Sequence, residues 1–381
     1  MPVITKQFQN LTLPQLGFGS MRLPLLPGGG DEDVDQAAVD RMVDTAMARG
    51  ANYFDTAYGY HGGKSEVVMG KALSRYPRDS YYLASKFPGY DVDNIRADRV
   101  EAIFEEQLRR CGVEYFDFYL FHNVYERNVE PYLDPENRVV EYLLEQKRNG
   151  RIRHLGFSAH GALPVIRKFL DAVGKHMEFG QLQLNYLDWD FQQARDKAAE
   201  LNRRNIPIWV MEPLRGGRLA RLTEGEAEEL RALRPGESPV GWAFRFLQGV
   251  PGVTVILSGM SSQEQLEDNL NLFETETPLT DAERAALLEM AGGMVNSRTL
   301  PCTACRYCVD HCPRGLDIPG LLALYNEHTF TGGGFIAPMA VGALPEDKRP
   351  SACIGCRSCE RVCPQQLKIS EALADFSRQL G

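Results

Sequence analysis

Tyr53-Phe54-Asp55-Thr56-Ala57-Tyr58-Gly59-Tyr60 begins as an apolar strand and ends in a polar, glycine-bearing turn. An acid and a phenol lie five residues apart, just past the strand's end. In a barrel of parallel strands, side chains at this position form the active site. The stretch therefore poses a question to the rest of the chain: do the flanking segments build a barrel, and do they supply partners for Asp55 and Tyr60?

Working outward, amphipathic helical segments alternate with short apolar runs rich in β-branched and aromatic residues. Residues 3–13 alternate apolar and polar and suggest a small hairpin, with a first barrel strand at 13–17. Helices are expected at 34–49, 64–75, 96–111, 136–149, 163–173, 191–205 and 262–273. Strands are expected at 52–55, 81–85, 116–121, 152–157, 179–184, 206–211 and 253–257. Strands alternating with helices pair in parallel. Eight such units over about 290 residues fit a closed (β/α)8 TIM barrel better than an open sheet. The doubly wound alternative favours Gly-x-Gly-x-x-Gly after the first strand, but Gly17-Phe18-Gly19 is followed by Ser20-Met21-Arg22. A last helix at 281–290 precedes Gly292-Gly293, which marks the expected boundary between a barrel over 1–291 and a second domain over 292–381.

Composition narrows the classes. At 44% hydrophobic and 24% charged the chain reads as an ordinary globular protein. A net charge of −9 argues against nucleic acid or an anionic membrane as main partner. No apolar run approaches a membrane span. The first residues lack a basic-then-apolar signal pattern, so a cytoplasmic location is expected.

The strand ends carry the chemistry. Asp55 and Tyr60 follow one strand, Lys86 the next and His122 the one after. Carbonyl reduction needs a proton donor at the oxygen as hydride reaches carbon. A phenol with a pKa of about 10 is a reluctant donor. A neighbouring ammonium stabilises the phenolate, a carboxylate holds the ammonium, and an imidazole orients the carbonyl. Tyr58 competes with Tyr60 for the donor role, and the spacing from Asp55 favours Tyr60.

These residues resemble the aldo-keto reductase family over roughly residues 8–275. The likeness rests on Phe54-Asp55-Thr56-Ala57-x-x-Tyr60, Gly63-Lys64-Ser65-Glu66, Gly70-Lys71-Ala72-Leu73, Ser85-Lys86 and Leu120-Phe121-His122-Asn123. The resemblance implies a tetrad of Tyr60 as general acid, Lys86 and Asp55 as its tuners, and His122 as orienting group. It also implies NADP or NAD extended across the barrel rim. By the same likeness Ser158 and Gln181 would hold the carboxamide, and Met211 would face the nicotinamide. Pro213, Leu214, Gly216 and Gly217 would form the pyrophosphate loop, with Gln265, Asp268 and Asn269 on the adenosine side. The chain departs from the family at Ala159, where an Asn is usual, and at Met211, where an aromatic ring stacks. It departs again at Gly259 and Gln265, where NADPH-specific members carry Lys and Arg. Ser158 also reads as a simple strand-end cap, and His160 as either a substrate contact or a helix-start hydrogen bond.

The second feature fits no barrel. Of nine cysteines, Cys111 alone lies in the first 300 residues, where a buried small hydrophobe is its ordinary role. The other eight form two runs of one spacing, Cys302-x2-Cys305-x2-Cys308-x3-Cys312-Pro313 and Cys353-x2-Cys356-x2-Cys359-x3-Cys363-Pro364. This is the bacterial ferredoxin spacing, in which the fourth Cys of each run serves the other [4Fe–4S] cluster. The expected ligand sets are Cys302, Cys305, Cys308 and Cys363, and Cys353, Cys356, Cys359 and Cys312. Zinc is the alternative, but it is usually bound by pairs of Cys-x2-Cys. The forty residues between Cys312 and Cys353, with a helical pattern at 318–328, suggest a mainly α-helical ferredoxin-like domain.

Three functions follow. The first is reduction of an aldehyde or ketone by NAD(P)H. The second is electron transfer, in which the clusters exchange electrons with ferredoxin, another electron-transfer protein or an added flavin, although no flavin site is legible. The third is a non-catalytic, cofactor-binding regulatory subunit.

Overall fold

The computed structural model describes residues 1–296, 299–302 and 304–381. The chain forms two compact units, Met1–Leu287 and Leu288–Gly381.

In the first unit eight parallel strands close into a barrel. They are β3 (Leu16–Gly19), β4 (Tyr53–Asp55), β5 (Tyr82–Phe87), β6 (Phe116–Val124), β7 (Ile152–Ala159), β8 (Phe179–Gln183), β9 (Ile208–Met211) and β10 (Val253–Gly259). They neighbour one another in chain order, and β10 pairs with β3 to close the ring. Helices wrap the outside, so the strands are buried on both faces and read as unbroken apolar runs. The helices start and stop where local chemistry dictates. Asp35 accepts a hydrogen bond from the Ala38 N–H ahead of helix Gln36–Ala48, and left-handed Gly112 (φ 65°) ends helix Ala97–Cys111. Gly70 permits helix Ser65–Leu73 to lie against the end of that helix: a Cβ there would stand 2.6 Å from the Cys111 carbonyl oxygen. Cys111 is buried, as a small hydrophobe should be.

The expected N-terminal hairpin is β1 (Thr5–Phe8) and β2 (Leu11–Pro14). Phe8 and Leu13 pack with Tyr53, Phe118, Phe179, Trp209 and Val255 at the start of the barrel strands. Phe8 meets Trp209 edge-on at 5.0 Å. The hairpin thus floors one mouth and leaves the strand ends at the other for chemistry. Residues 11–14 are committed to the hairpin, so the first barrel strand lies at Leu16–Gly19 rather than at 13–17.

The helix expected at 281–290 runs on as Asp281–Asn296, straight through Gly292-Gly293. Interior glycine weakens a helix by about 1 kcal/mol but does not break it. The division into units falls after Leu287, upstream of the glycine pair. The second unit is mainly helical, with Ile318–Thr331, Ile336–Gly342 and Ile369–Leu380 as its α-helices, and no strand among the described residues. Leu316, Ile318, Leu321, Leu322, Leu367, Ile369 and Leu373 form its core together with Cys308 and Cys359.

Candidate active site and cysteine cavities

Asp55 ends β4 as the register partner of Ala84, and Lys86 lies two residues further along β5, on the same face as Ala84. Lys86 is fully buried. Its Nζ donates to Asp55 Oδ1 at 2.6 Å and to the Thr56 carbonyl at 2.8 Å, and stands 3.4 Å from the Tyr60 hydroxyl. The ammonium also lies 4.9 Å from the Tyr60 ring centroid. Burial alone would discharge Lys86, yet Asp55 and Tyr60 hold its pKa above the ordinary value. Burial pushes the Tyr60 phenol up, and Lys86 pulls it back. The ammonium's pull is therefore present, but burial outweighs it.

His122 sits edge-on to Tyr60 with ring centroids 6.1 Å apart, and edge-on to Tyr90 at 5.1 Å. Burial first, then Lys86, keeps its imidazole well below the usual pKa and hence neutral. Its Nδ1 is buried with no hydrogen-bond partner among the described residues. Tyr58, the competing phenol, points elsewhere: it donates to Glu106 at 3.0 Å, beneath the Arg110 guanidinium. The geometry brings Asp55, Tyr60, Lys86 and His122 together and leaves Tyr58 out.

Behind the tetrad lies a buried polar layer that residue patterns did not reveal. Gln107 Nε2 donates to Glu66 Oε1 at 2.7 Å, to Ser85 at 3.0 Å and to the Lys86 carbonyl at 3.0 Å. Ser85 in turn donates to Glu66 at 2.7 Å. On the other side Ser20 donates to the Asp55 carbonyl at 2.8 Å, and Ser65 links Ser20 to Thr56. His61, beside Tyr60, accepts from the Leu23 N–H at 3.1 Å. These bonds fix β4, β5 and the Tyr60 turn without touching the reacting atoms.

The residues expected to face a dinucleotide sit along β7, β8, β9 and β10. Ser158 and Gln181 are register partners. Ser158 Oγ accepts from the Asn123 N–H at 2.8 Å, which is the strand-end cap. Gln181 Nε2 reaches the Met211 sulfur at 3.7 Å, while its buried Oε1 has no partner among the described residues. Pro213 is buried, Leu214 half-buried, and Gly216 and Gly217 are left-handed at φ 65° and 90°. A Cβ at Gly217 would meet nothing within 4 Å, so its backbone face is open. Gln265 and Asp268 are exposed on helix Gln263–Leu272, and Gln265 accepts from the Ser261 N–H. Asn269 is turned inward and donates to Ser258 at 3.0 Å. His160 is held at a pKa of about 4 by burial and Lys197, against a hydrogen bond with Gln183. Gln183 in turn donates to Asp188, which grips Arg215 at 2.9 Å.

None of the nine cysteines forms a disulfide. Cys302, Cys305, Cys308 and Cys363 line one small pocket, and Cys312, Cys353, Cys356 and Cys359 line another. In each set the fourth thiol comes from the other run.

Residues 15–291 match the model of the Aldo/keto reductase family, and residues 301–369 match a 4Fe-4S dicluster domain. The NADH-specific methylglyoxal reductase of Escherichia coli is 26% identical over 330 residues, a match covering 74% of this chain and 96% of that protein. L-galactose dehydrogenase of Arabidopsis thaliana is 25% identical over 310 residues, covering 76% and 94%. Among solved structures, the holo form of aldo-keto reductase AKR11C1 from Bacillus halodurans superposes with a TM-score of 0.61 at 26% identity, covering 76% of this chain and 96% of that one. Among the described residues, no helix is long and apolar enough to cross a membrane.

Proposed function

The chain belongs to the aldo/keto reductase family and is an oxidoreductase, and on that premise we propose that it reduces an aldehyde or ketone with hydride from NADH or NADPH, Tyr60 donating the proton. The observation that carries this reading is the fully buried Lys86, 2.6 Å from Asp55 and 3.4 Å from the Tyr60 hydroxyl. As the proton leaves Tyr60 for the carbonyl oxygen, the ammonium stabilises the phenolate that remains. Asp55 holds Lys86 charged and in place, and neutral His122 orients the carbonyl beside the phenol. A bound nicotinamide supplies the hydride. Gln181, with a buried acceptor to spare, suits its carboxamide, joined by Ser158; Gly217 offers open backbone to phosphate, with Gly216 beside it. The lack of Lys or Arg at Gly259 and Gln265 favours NADH. Small oxo-aldehydes of the methylglyoxal type are the first substrates to try. Tyr60→Phe should lower kcat by about 10²–10⁴-fold while the nucleotide Kd stays put. Full turnover by that variant would refute the reading.

We infer also that the second unit holds two [4Fe–4S] clusters, one in each cavity, with the crossed ligand sets given above. Four sulfurs around a cavity suit a cluster better than one zinc ion, which needs four donors at about 2.3 Å from a point. Clusters supply one-electron chemistry. Solvent-exposed Cys305 and Cys356 favour a second role, electron exchange with ferredoxin or another electron-transfer protein. Eight thiols also suit a reducing compartment such as the cytoplasm. Anaerobic protein should carry about eight irons and eight sulfides. Reduction of its visible absorbance by NADH would join barrel and clusters in one path; no response would leave the clusters to a separate partner.

A further inference from the structure

We propose that the Glu212 carboxylate is a built-in competitor for the phosphate-binding turn, balanced by Arg22, and that this pair sets how tightly the barrel holds a dinucleotide. The inference rests on the nucleotide reading above and adds two residues to it.

Glu212 is the first residue past β9, with a left-handed backbone at φ 55°. Arg215, Gly216 and Gly217 follow at φ 47°, 65° and 90°. For Glu and Arg this region is sparsely populated, and it persists where the surroundings impose it. Here Asn185 Nδ2 and the Arg215 N–H both donate to the Glu212 carbonyl, at 3.0 and 3.1 Å, and Asp188 grips Arg215 at 2.9 Å. The backbone of Glu212 is thus fixed, and its side chain is aimed along the turn. Successive left-handed residues turn their N–H groups into an anion-binding concavity.

That concavity already faces an anion. The point where a Cβ of Gly216 would stand lies 3.9 Å from Glu212 Oε2 and 3.2 Å from Arg22 Nη2. Carboxylate and guanidinium therefore both border the bare face of Gly216, where a pyrophosphate would approach, without closing an ion pair on each other. The Gly216 N–H and Arg22 both stabilise the Glu212 charge against its burial. Arg22 also flanks the adenosine side: a Cβ at Gly259 would lie 3.4 Å from its own Cβ, and its carbonyl accepts from Ser261 at 2.9 Å. A phosphate entering the turn must displace the carboxylate from beside Gly216 and draw on Arg22 in its place. Two like charges cannot share that space cheaply. The same carboxylate reaches the chemistry, because its charge is one of those that raise the Tyr60 pKa.

The test uses the full chain with its clusters. Wild type, Glu212→Gln and Arg22→Gln are titrated calorimetrically with NADH, NADPH and inorganic pyrophosphate. Glu212→Gln should tighten all three by about tenfold, and Arg22→Gln should weaken them by a similar factor. With a carbonyl substrate, the alkaline limb of the kcat profile should move to lower pH in Glu212→Gln, because loss of a negative charge eases ionisation of Tyr60. A purely structural Glu212 would not shift that limb. Glu212→Asp draws the carboxylate back by one methylene and should tighten binding in part, which keeps the test alive if the Gln variant misfolds. Unchanged or weaker pyrophosphate and dinucleotide binding in folded Glu212→Gln and Glu212→Asp overturns the inference. If pyrophosphate tightens while neither dinucleotide binds to any form, the competition at the turn stands, and the nicotinamide reading falls together with the dinucleotide half of the inference.

Discussion

In the barrel, Lys86 is sealed among protein groups that already satisfy it: Asp55, the Thr56 carbonyl and, one layer back, Gln107 bonded to its own carbonyl. In the cysteine-bearing unit, Cys308 and Cys359 are themselves core residues, packed with Leu316, Leu321 and Leu373 around cavities lined by thiols. The barrel builds its site from a core that closes without a ligand. The smaller unit, by contrast, builds its cysteines into its core. Burying an ammonium is tolerable only where its partner and hydrogen bonds are pre-set. Where thiols from two distant runs serve as ligands of one cluster, however, metal binding is part of folding.

The sharpest way to break this comparison is to remove the metal. Chelation of iron under anaerobic conditions should unfold the second unit, since binding energies at structural metal sites reach about 10 kcal/mol or more. Amide exchange should accelerate across helices Ile318–Thr331 and Ile369–Leu380 and stay slow in β5 and β6. Retained protection in those helices after complete iron loss would show that the apolar residues suffice, and the contrast would fail.

A smaller perturbation separates stability from chemistry within the barrel. Phe8 is buried on the floor, edge-on to Trp209 and His154. Phe8→Ala should cost about 3–5 kcal/mol through loss of burial plus the cavity left behind. Measured by urea unfolding, the loss should appear with kcat unchanged, because the tetrad lies at the opposite strand ends. A fall in kcat matching that of Tyr60→Phe would mean that floor and rim are coupled.

Much of this was legible in the sequence, for identifiable reasons. Asp55, Lys86 and His122 stand out because a polar residue ending an apolar strand has few other uses. Tyr58 and Tyr60 were separated by spacing, and the structure explains why: Tyr58 is spent on Glu106 and Arg110. Gln107 was illegible because it sits within helix Ala97–Cys111, where a polar residue reads as a solvated face until its burial is known. Glu212 was hidden differently. A carboxylate beside Pro213 reads as a loop residue, and only the left-handed turn aims it at Gly216. β6 outran its expected end because pairing resumes at Val124 after an irregularity that Asn123, at φ 54°, makes possible. Gly292-Gly293 does not end its helix, because composition measures helix cost but not the helix around it.

The gentlest test is acid, and its sign is fixed by which groups the barrel buries neutral. His160 has a folded pKa of about 4 against an ordinary 6.5, set by burial and Lys197 despite Gln183 and Asp188. Between those values the unfolded chain binds a proton that the folded barrel refuses. Stability therefore rises with pH across this window and falls as pH drops from 6.5 towards 4, by at most about 1.4 kcal/mol per pH unit for one such group. His122, shifted down by burial and Lys86, adds to the same slope. The paired carboxylates act lower. Glu178 and Glu200 both have folded pKa values of about 2 against 4.5, as hydrogen bonds from His154 and Lys147, and from Arg203 and Arg204, overcome burial. Their contribution is complete above pH 4.5 and is lost only below it. The window from pH 6.5 to 4.5 thus lies above the range of those two carboxylates; buried Asp55, Glu66 and Glu212, raised chiefly by burial, act there with the opposite sign, so the His160 share is read from the variant's difference. Urea midpoints for the barrel transition should decline more steeply in wild type than in His160→Asn from pH 6.5 down to about 4, with the slopes converging only below the folded pKa of about 4. Parallel curves throughout would mean that His160 accepts its proton in the folded barrel, and that the rim around Gln183 and Asp188 is wetter than its burial implies.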